Sequence, residues 1–263
     1  MLLNPPITEP AGLDDALRGR GHAVLSPAGL CELLGASRAE LDALRPSWND
    51  LPPDTHLRDG GRYRRRRHAC FVVEGGAVRQ APHRAHWQPL EYNALHGGLE
   101  RWFEPMRAEL VAQPVWSRLL VALGARCSAL RGAQTWFVEA HQFRIDTTDG
   151  IGRPTPEGAH RDGVDVVAVL LVDRQGVKGG ETRVFEAEGP AGLRFTLTEP
   201  WTTLLLDDAR VIHESTPIQP LAQGGHRDTL VLTFRSGAFQ GPGVERGVGE
   251  RSPADAKAGM DGA

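Results

Sequence analysis

The chain has 263 residues, 40% of them hydrophobic and 24% charged, with a formal net charge of -3 and a pI near 6.4. This is enough apolar material for one sizeable core, and there is no overall positive field to attract nucleic acid or an anionic membrane, so a small-molecule or protein partner is expected. No run of about 18 apolar residues is present, the start MLLNPPITEP lacks a basic stretch followed by a long apolar one, and Cys31, Cys70 and Cys127 lack CxxC spacing; the sequence therefore reads as a cytoplasmic chain without a membrane span, secretory leader or zinc cluster.

In chain order, Leu13 to Arg20 predicts a short helix, Ala23 to Leu25 a strand, and Pro27 to Leu44 a second helix with apolar residues near 3.6-residue spacing. The Asp-, Pro- and Gly-rich stretch from Asn49 to Gly61 is a loop, and Tyr63 to Val73 is a strand closed by a turn at Gly75-Gly76. That strand begins in the basic run Arg62, Arg64, Arg65, Arg66, Arg67 and His68, which reads as a solvated edge. Alternation also puts Arg62, Arg64 and Arg66 on one face, from which one of them could meet a substrate carboxylate. Leu90 to Leu130 reads as two or three helices broken near Pro105 and Pro114, with Trp102, Phe103, Trp116, Leu119 and Leu120 packing them. His83, His86 and His96 have no ligand-like spacing and read as ordinary histidines.

From Thr135 the texture changes to short apolar runs: Thr135 to Ile145, Val164 to Val172, Thr182 to Ala187, Leu193 to Leu197, Thr202 to Leu206, Val211 to His213 and Thr229 to Phe234. Trp136 and Trp201 fall among them as core, and Gly179-Gly180 supplies a turn. Such spacing predicts a mainly β sandwich or barrel with flanking helices. Residues 1–236 are expected to form one domain, with helical elaborations in 1–134 and the barrel in 135–236. Residues 237–263, rich in Gly, Ala, Pro and charge, are expected to be a disordered tail.

His160-Arg161-Asp162 lies between a Pro- and Gly-rich approach and the strand beginning at Val164. In an extended segment side chains two apart share a face, so His160 and Asp162 can converge on one ion while Arg161 points away. A lone HxD also suits a solvated loop, but Val211-Ile212-His213 returns a second histidine. Two histidines and one carboxylate leave open positions on an octahedral ion, as non-haem Fe(II) requires; a zinc hydrolase with Glu157 or Glu214 as general base uses the same residue types. Arg227 and Thr229, two apart on the last strand, offer a guanidinium and a hydroxyl to a carboxylate and favour iron. Gln142 and Arg144 share a face of the strand before the HxD and are candidate substrate contacts, with a structural hydrogen bond as the alternative.

The pieces HQFRI (His141 to Ile145), PEGAHRDG (Pro156 to Gly163), GGETRVF (Gly179 to Phe185), HESTPI (His213 to Ile218) and HRDTLVLTF (His226 to Phe234), in this order, resemble the 2-oxoglutarate/Fe(II) dioxygenase superfamily, in particular the bacterial branch containing L-isoleucine 4-hydroxylases. The resemblance implies a double-stranded β-helix (a cupin-like jelly roll), Fe(II) on His160, Asp162 and His213, and the distal carboxylate of 2-oxoglutarate on Arg227 with Thr229. It further implies a reaction with O2 that releases succinate and CO2 and hydroxylates a small substrate such as a free L-amino acid. A protein side chain as substrate and a non-catalytic metal-binding or sensing module are the alternatives.

Overall fold

The computed structural model describes residues 3–93 and 95–243. A 3-10 turn, Pro10–Gly12, leads into α1 (Leu13–Arg20), which buries Leu13 and Leu17 and stops at Gly21 in the left-handed region. β1 (His22–Leu25) follows. The single helix expected over Pro27 to Leu44 is instead two: α2 (Pro27–Leu34) ends at Gly35, φ 56°, and a reciprocal capping box between Ser37 and Glu40 starts α3 (Arg38–Asp42). A second 3-10 turn, Arg45–Trp48, brings Trp48 into the core.

Next come β2 (Arg64–Glu74), β3 (Ala77–Gln80), α4 (Ala108–Val111), α5 (Pro114–Arg131) and β4 (Trp136–Asp146). Among the described residues of 90–131, helix is confined to α4 and α5; those of 90–107, expected to be helical, form turns and irregular chain. Its backbone is satisfied without a helix: Pro89 O accepts from Asn93 N, Gln88 O from Gly98 N, and His86 and Arg101 exchange a pair of bonds. Trp102, expected in a helix interface, is 55% exposed.

The rest is strand: β5 (Val166–Gln175), β6 (Val177–Gly179), β7 (Thr182–Glu186), β8 (Gly192–Phe195), β9 (Thr203–Asp207), β10 (Val211–Ser215), β11 (Ile218–Pro220) and β12 (His226–Arg235). A seven-stranded antiparallel sheet runs β1-β9-β5-β12-β4-β2-β3; β10-β7-β8 and β11-β6 form the smaller sheets. One apolar cluster joins Val167, Leu171, Leu204 and Leu206 of the large sheet to Val184, Phe195 and Val211 of the three-stranded one, so the sheets pack face to face. This is the jelly roll the sequence implies. The outer face of the large sheet carries Val138, Ala140, Leu230, Leu232 and Phe234 against Trp116, Leu119, Leu120 and Leu123 of α5.

Alternation then decides what faces inward. Even positions of β4 and β12 point to the helices and odd positions to the space between the sheets. The basic run is not a solvated edge. Arg64, Arg66, Arg67 and His68 are at most 8% exposed, because residues 52–54 pair with Arg64 to Arg66 and Glu104 O accepts from His68 N. Nor does the tail begin at 237: Phe239 packs edge-on to Phe137 and Gln240 is buried, while 244–263 lies outside the described residues. No helix among the described residues is long and apolar enough to cross a membrane.

Gly179 and Gly180 both have positive φ, at 81° and 64°, and a Cβ on Gly179 would stand 2.2 Å from Pro217 O, the backbone that leads into β11. Gly179→Ala should therefore cost about 2–3 kcal/mol, from positive φ and a backbone clash together. Urea unfolding of the variant checks this; a midpoint equal to wild type would contradict it.

Candidate active site

His160 and His213 are held by one antiparallel bridge: each backbone N–H donates to the other's carbonyl at 3.0 Å, which sets the ring centroids 4.7 Å apart. Asp162 completes the group, its Oδ1 3.8 Å from His160 Nε2 and its Oδ2 3.7 Å from His213 Nε2. One ligand atom from each lies within 4.8 Å of the others, and Arg161 turns away toward the Tyr92 ring. His160 Nδ1 sits 2.9 Å from Gly158 O, so it carries the proton and leaves the lone pair of Nε2 free for a metal ion.

The loop that presents Asp162 is clamped by Asp208, whose carboxylate accepts from the backbone N–H groups of Asp162, Gly163 and Val164 at 2.8–3.0 Å. Gln240 donates to the carbonyls of Asp162 and Gly163, and Gln88 Nε2 donates to Asp162 Oδ1 at 3.2 Å. Burial is the largest influence on Asp162, pushing it up to about 6, with the charges of Asp208 and Glu157 adding to the rise against His160. Burial holds His213 well below the ordinary histidine value. Two imidazoles and a buried carboxylate crowded by other acids are a donor set that a divalent cation fits.

The triad opens on a cavity of about 120 Å³ between the sheets. Arg227 and Thr229 stand on its wall, at odd positions of β12. Arg227 is 3% exposed, and its Nε and Nη2 have no hydrogen-bond partner among the described residues. Burial and the neighbouring Arg174 lower it to about 10, and it stays charged. A buried guanidinium without an anion is costly, and a dicarboxylate co-substrate reaching from the metal would satisfy it.

Gln142 and Arg144 do not reach the cavity. They occupy even positions of β4, where Gln142 donates to Ser47 Oγ and Arg144 makes a two-pronged bond to Asp228. Their odd neighbours His141, Phe143 and Ile145 line the cavity instead. Glu157 lies 3.6 Å from His160 Nε2 on the cavity wall, whereas Glu214 and Glu181 are tied to Arg183.

The sequence reading missed the wall opposite the triad. Pairing of β2 with β4 sets Arg64 beside Ile145, Arg66 beside Phe143 and His68 beside His141, so even residues of β2 face inward. Arg66 lies 3.7 Å from the Phe103 ring centroid and 4.5 Å from that of Phe143, and donates to His141 Nδ1 at 2.7 Å. Glu139 Oε2 accepts from His68 Nε2 at 3.0 Å and His86 Nδ1 at 2.6 Å. These three histidines and Glu139 also have ligand-like spacing, yet Arg66 occupies a ring nitrogen of His141 and sets a positive charge beside them. The cluster is therefore a paired polar network, with His86 held neutral by burial down to about 3.

The family model for the 2OG-Fe dioxygenase family matches residues 45–233, which contain the triad, Arg227 and Thr229. Among solved structures, a bsmA homolog from Methylobium petroleophilum PM1 shares 56% identity and a TM-score of 0.87, over 91% of this chain and 98% of that one. The IDO of Bacillus thuringiensis (16% identity, TM-score 0.71, 89% and 100% covered) and the Fe(II)/(alpha)ketoglutarate-dependent dioxygenase TqaL (22%, 0.67, 88% and 91%) share the fold. Comparison with curated proteins gives no match. The family uses Fe(II), 2-oxoglutarate and O2. With a family match over most of its length and 56% identity to a solved structure over 91% of it, the chain belongs to the 2OG-Fe dioxygenase family and is an oxygenase.

Proposed function

We propose that His160, Asp162 and His213 hold the Fe(II), that Arg227 with Thr229 holds the distal carboxylate of 2-oxoglutarate, and that the enzyme hydroxylates a free L-amino acid or close derivative. The observation that carries this reading is Arg227, a buried cation with two unpartnered nitrogens on the same cavity wall that the triad opens onto. When bound, the iron and co-substrate supply the oxidising chemistry, with succinate and CO2 as products. The chain's own residues position the groups: Gly158 O fixes the His160 tautomer, Asp208 and Gln88 orient Asp162, and the buried walls keep water out. A small substrate is supported by those walls, since Arg66 and Arg101 at the far side are each 3% exposed and no broad groove is needed to reach them. The likeness of the motif pieces to L-isoleucine 4-hydroxylases supports an amino acid. The chain up to Gln240, which bonds the Asp162 loop, is read as one oxygenase domain acting in the cytoplasm.

Anaerobic titration of 2-oxoglutarate into the Fe(II)-loaded protein should produce the weak visible charge-transfer band of bidentate chelation. Arg227→Ala should weaken that binding by about 30-fold or more, because a buried charge-assisted pair is lost. An iron-replete, folded wild-type protein with no band would remove the co-substrate site.

Metal affinity should fall in acid. The metal needs Asp162 ionised and His160 free at Nε2; in the metal-free protein burial raises Asp162 to about 6, and nearby Asp162 and Glu157 outweigh burial to raise His160. Protons therefore compete more strongly as pH falls toward and below 6, and affinity should drop by about tenfold or more between roughly pH 7.5 and 5.5. Cobalt titrations at several pH values would test this, and a flat profile would count against these ligands.

A further inference from the structure

The cavity wall opposite the triad is crowded with positive charge. Arg64, Arg66 and Arg101 line it, and the carboxylates that act on them are Asp54, Glu139 and, beside His160, Glu157. Asp54 accepts from Arg64 Nε at 2.7 Å and lies 3.9 Å from Arg66 Nη1; Glu139 is taken by His68 and His86. The histidines add no charge, since burial holds His68, His86 and His141 below the ordinary value. Among the described residues neither Arg66 nor Arg101 donates a hydrogen bond to a carboxylate, and all three arginines are at most 5% exposed, so bulk water and salt screen them poorly.

Each of the three arginines keeps a nitrogen without a partner. Arg66 is fixed between Phe103 and Phe143, with Nη2 committed to His141. Arg101 is fixed by one bond, from Nη2 to Gln88 Oε1 at 3.0 Å. Among the described residues Arg64 Nη2, Arg66 Nε and Arg101 Nε are buried without a hydrogen-bond partner. Rigid, unpaired guanidinium groups on a cavity wall are preorganised for a planar anion.

We propose that Arg66 and Arg101 form a second carboxylate subsite, separate from Arg227, which takes the carboxylate of the substrate and aims its aliphatic part at the triad. The inference rests on the reading of the triad and Arg227 given above. It also limits substrate size. Gln88 bonds Arg101 through its carbonyl oxygen and Asp162 Oδ1 through its amide nitrogen, at 3.0 and 3.2 Å, so Arg101 Nη2 and Asp162 Oδ1 lie no more than about 8.5 Å apart. A carboxylate on Arg101 therefore puts carbons only a few bonds from its carboxyl beside the metal, so the substrate is a small aliphatic acid.

Saturation-transfer NMR tests this on the full chain loaded with zinc in place of iron and saturated with 2-oxoglutarate. The probes are L-valine, 3-methylbutanoate and the carboxamide of each. At least one of the two carboxylates should bind and both carboxamides should be silent; Arg101→Gln should weaken carboxylate binding about tenfold or more. Arg101→Lys keeps the charge but not the planar guanidinium, so it should bind the acid more tightly than Arg101→Gln and separates loss of charge from loss of shape. Binding of the carboxamides as strongly as the acids, no binding of either acid, unchanged binding in Arg101→Gln, or binding in Arg101→Lys no tighter than in Arg101→Gln would each overturn the subsite. Arg227→Ala distinguishes the two readings: it should release 2-oxoglutarate and keep the acid probe. If the acid is lost there and kept in Arg101→Gln, the anion sits at the co-substrate arginine and this inference fails. If 2-oxoglutarate fails to bind wild type while the acid binds through Arg101, the co-substrate reading fails and the subsite stands.

Discussion

The site depends on one two-bond bridge, His160 with His213. It is the point where the loop before β5 is stitched to β10, and without it no element would hold the two imidazoles 4.7 Å apart. The bridge fixes backbones and leaves the third proposed ligand on the loop, so Asp208 has to gather three consecutive N–H groups to set Asp162. The asymmetry is physically reasonable: a single bridge resists shear weakly, and a carboxylate collecting backbone donors supplies the missing stiffness with charge-assisted bonds.

Arg227 sits on firmer ground, in the middle of the large sheet with β4 on one side and β5 on the other. Ladder register carries its position across three strands, so that Arg64, Ile145 and Arg227 form one row and Arg66, Phe143 and Thr229 the next. The proposed anion-binding groups therefore stand on rigid strands, while the proposed metal ligands come from a bridge and a loop.

How much of this was legible depended on parity and on burial. The HxD, the later histidine and Arg227 could be read because each lies in a short segment where spacing alone sets the geometry. Gln142 and Arg144 were misassigned although the strand was correctly found: alternation fixes which residues share a face, not which face is inside. Trp136, Val138 and Ala140 held the answer, since these apolar even positions belong under α5 and force the odd positions inward. The arginine run misled for another reason. Exposure of β2 is set by chain segments 52–54 and 104–106, distant in sequence, and no local pattern signals that they cover it. The break after α2 was local and readable, from Gly35 followed by Ser37 and Glu40. The irregular stretch 90–107, which carries Arg101 and Asn93, has no periodicity to read.

The cavity's charges are partly segregated, and this links binding to folding. Asp162 and Glu157 stand at the triad end with Asp208 behind the Asp162 loop, and Arg64, Arg66, Arg101 and Arg227 line the rest of the wall, where Glu157 also acts on Arg101. Without ligands each end repels itself. Asp162 shows the sign: its folded value lies near 6, above that of an unfolded aspartate, so the metal-free fold loses stability as pH rises from the ordinary carboxylate range to about 6. At the other end, burial and mutual repulsion lower Arg66 and Arg101. A cation at the first end and anions at the second relieve both penalties, and anything that binds only the folded state stabilises it by mass action. The same arrangement therefore selects ligands by charge at each end and makes the fully loaded enzyme its most stable form.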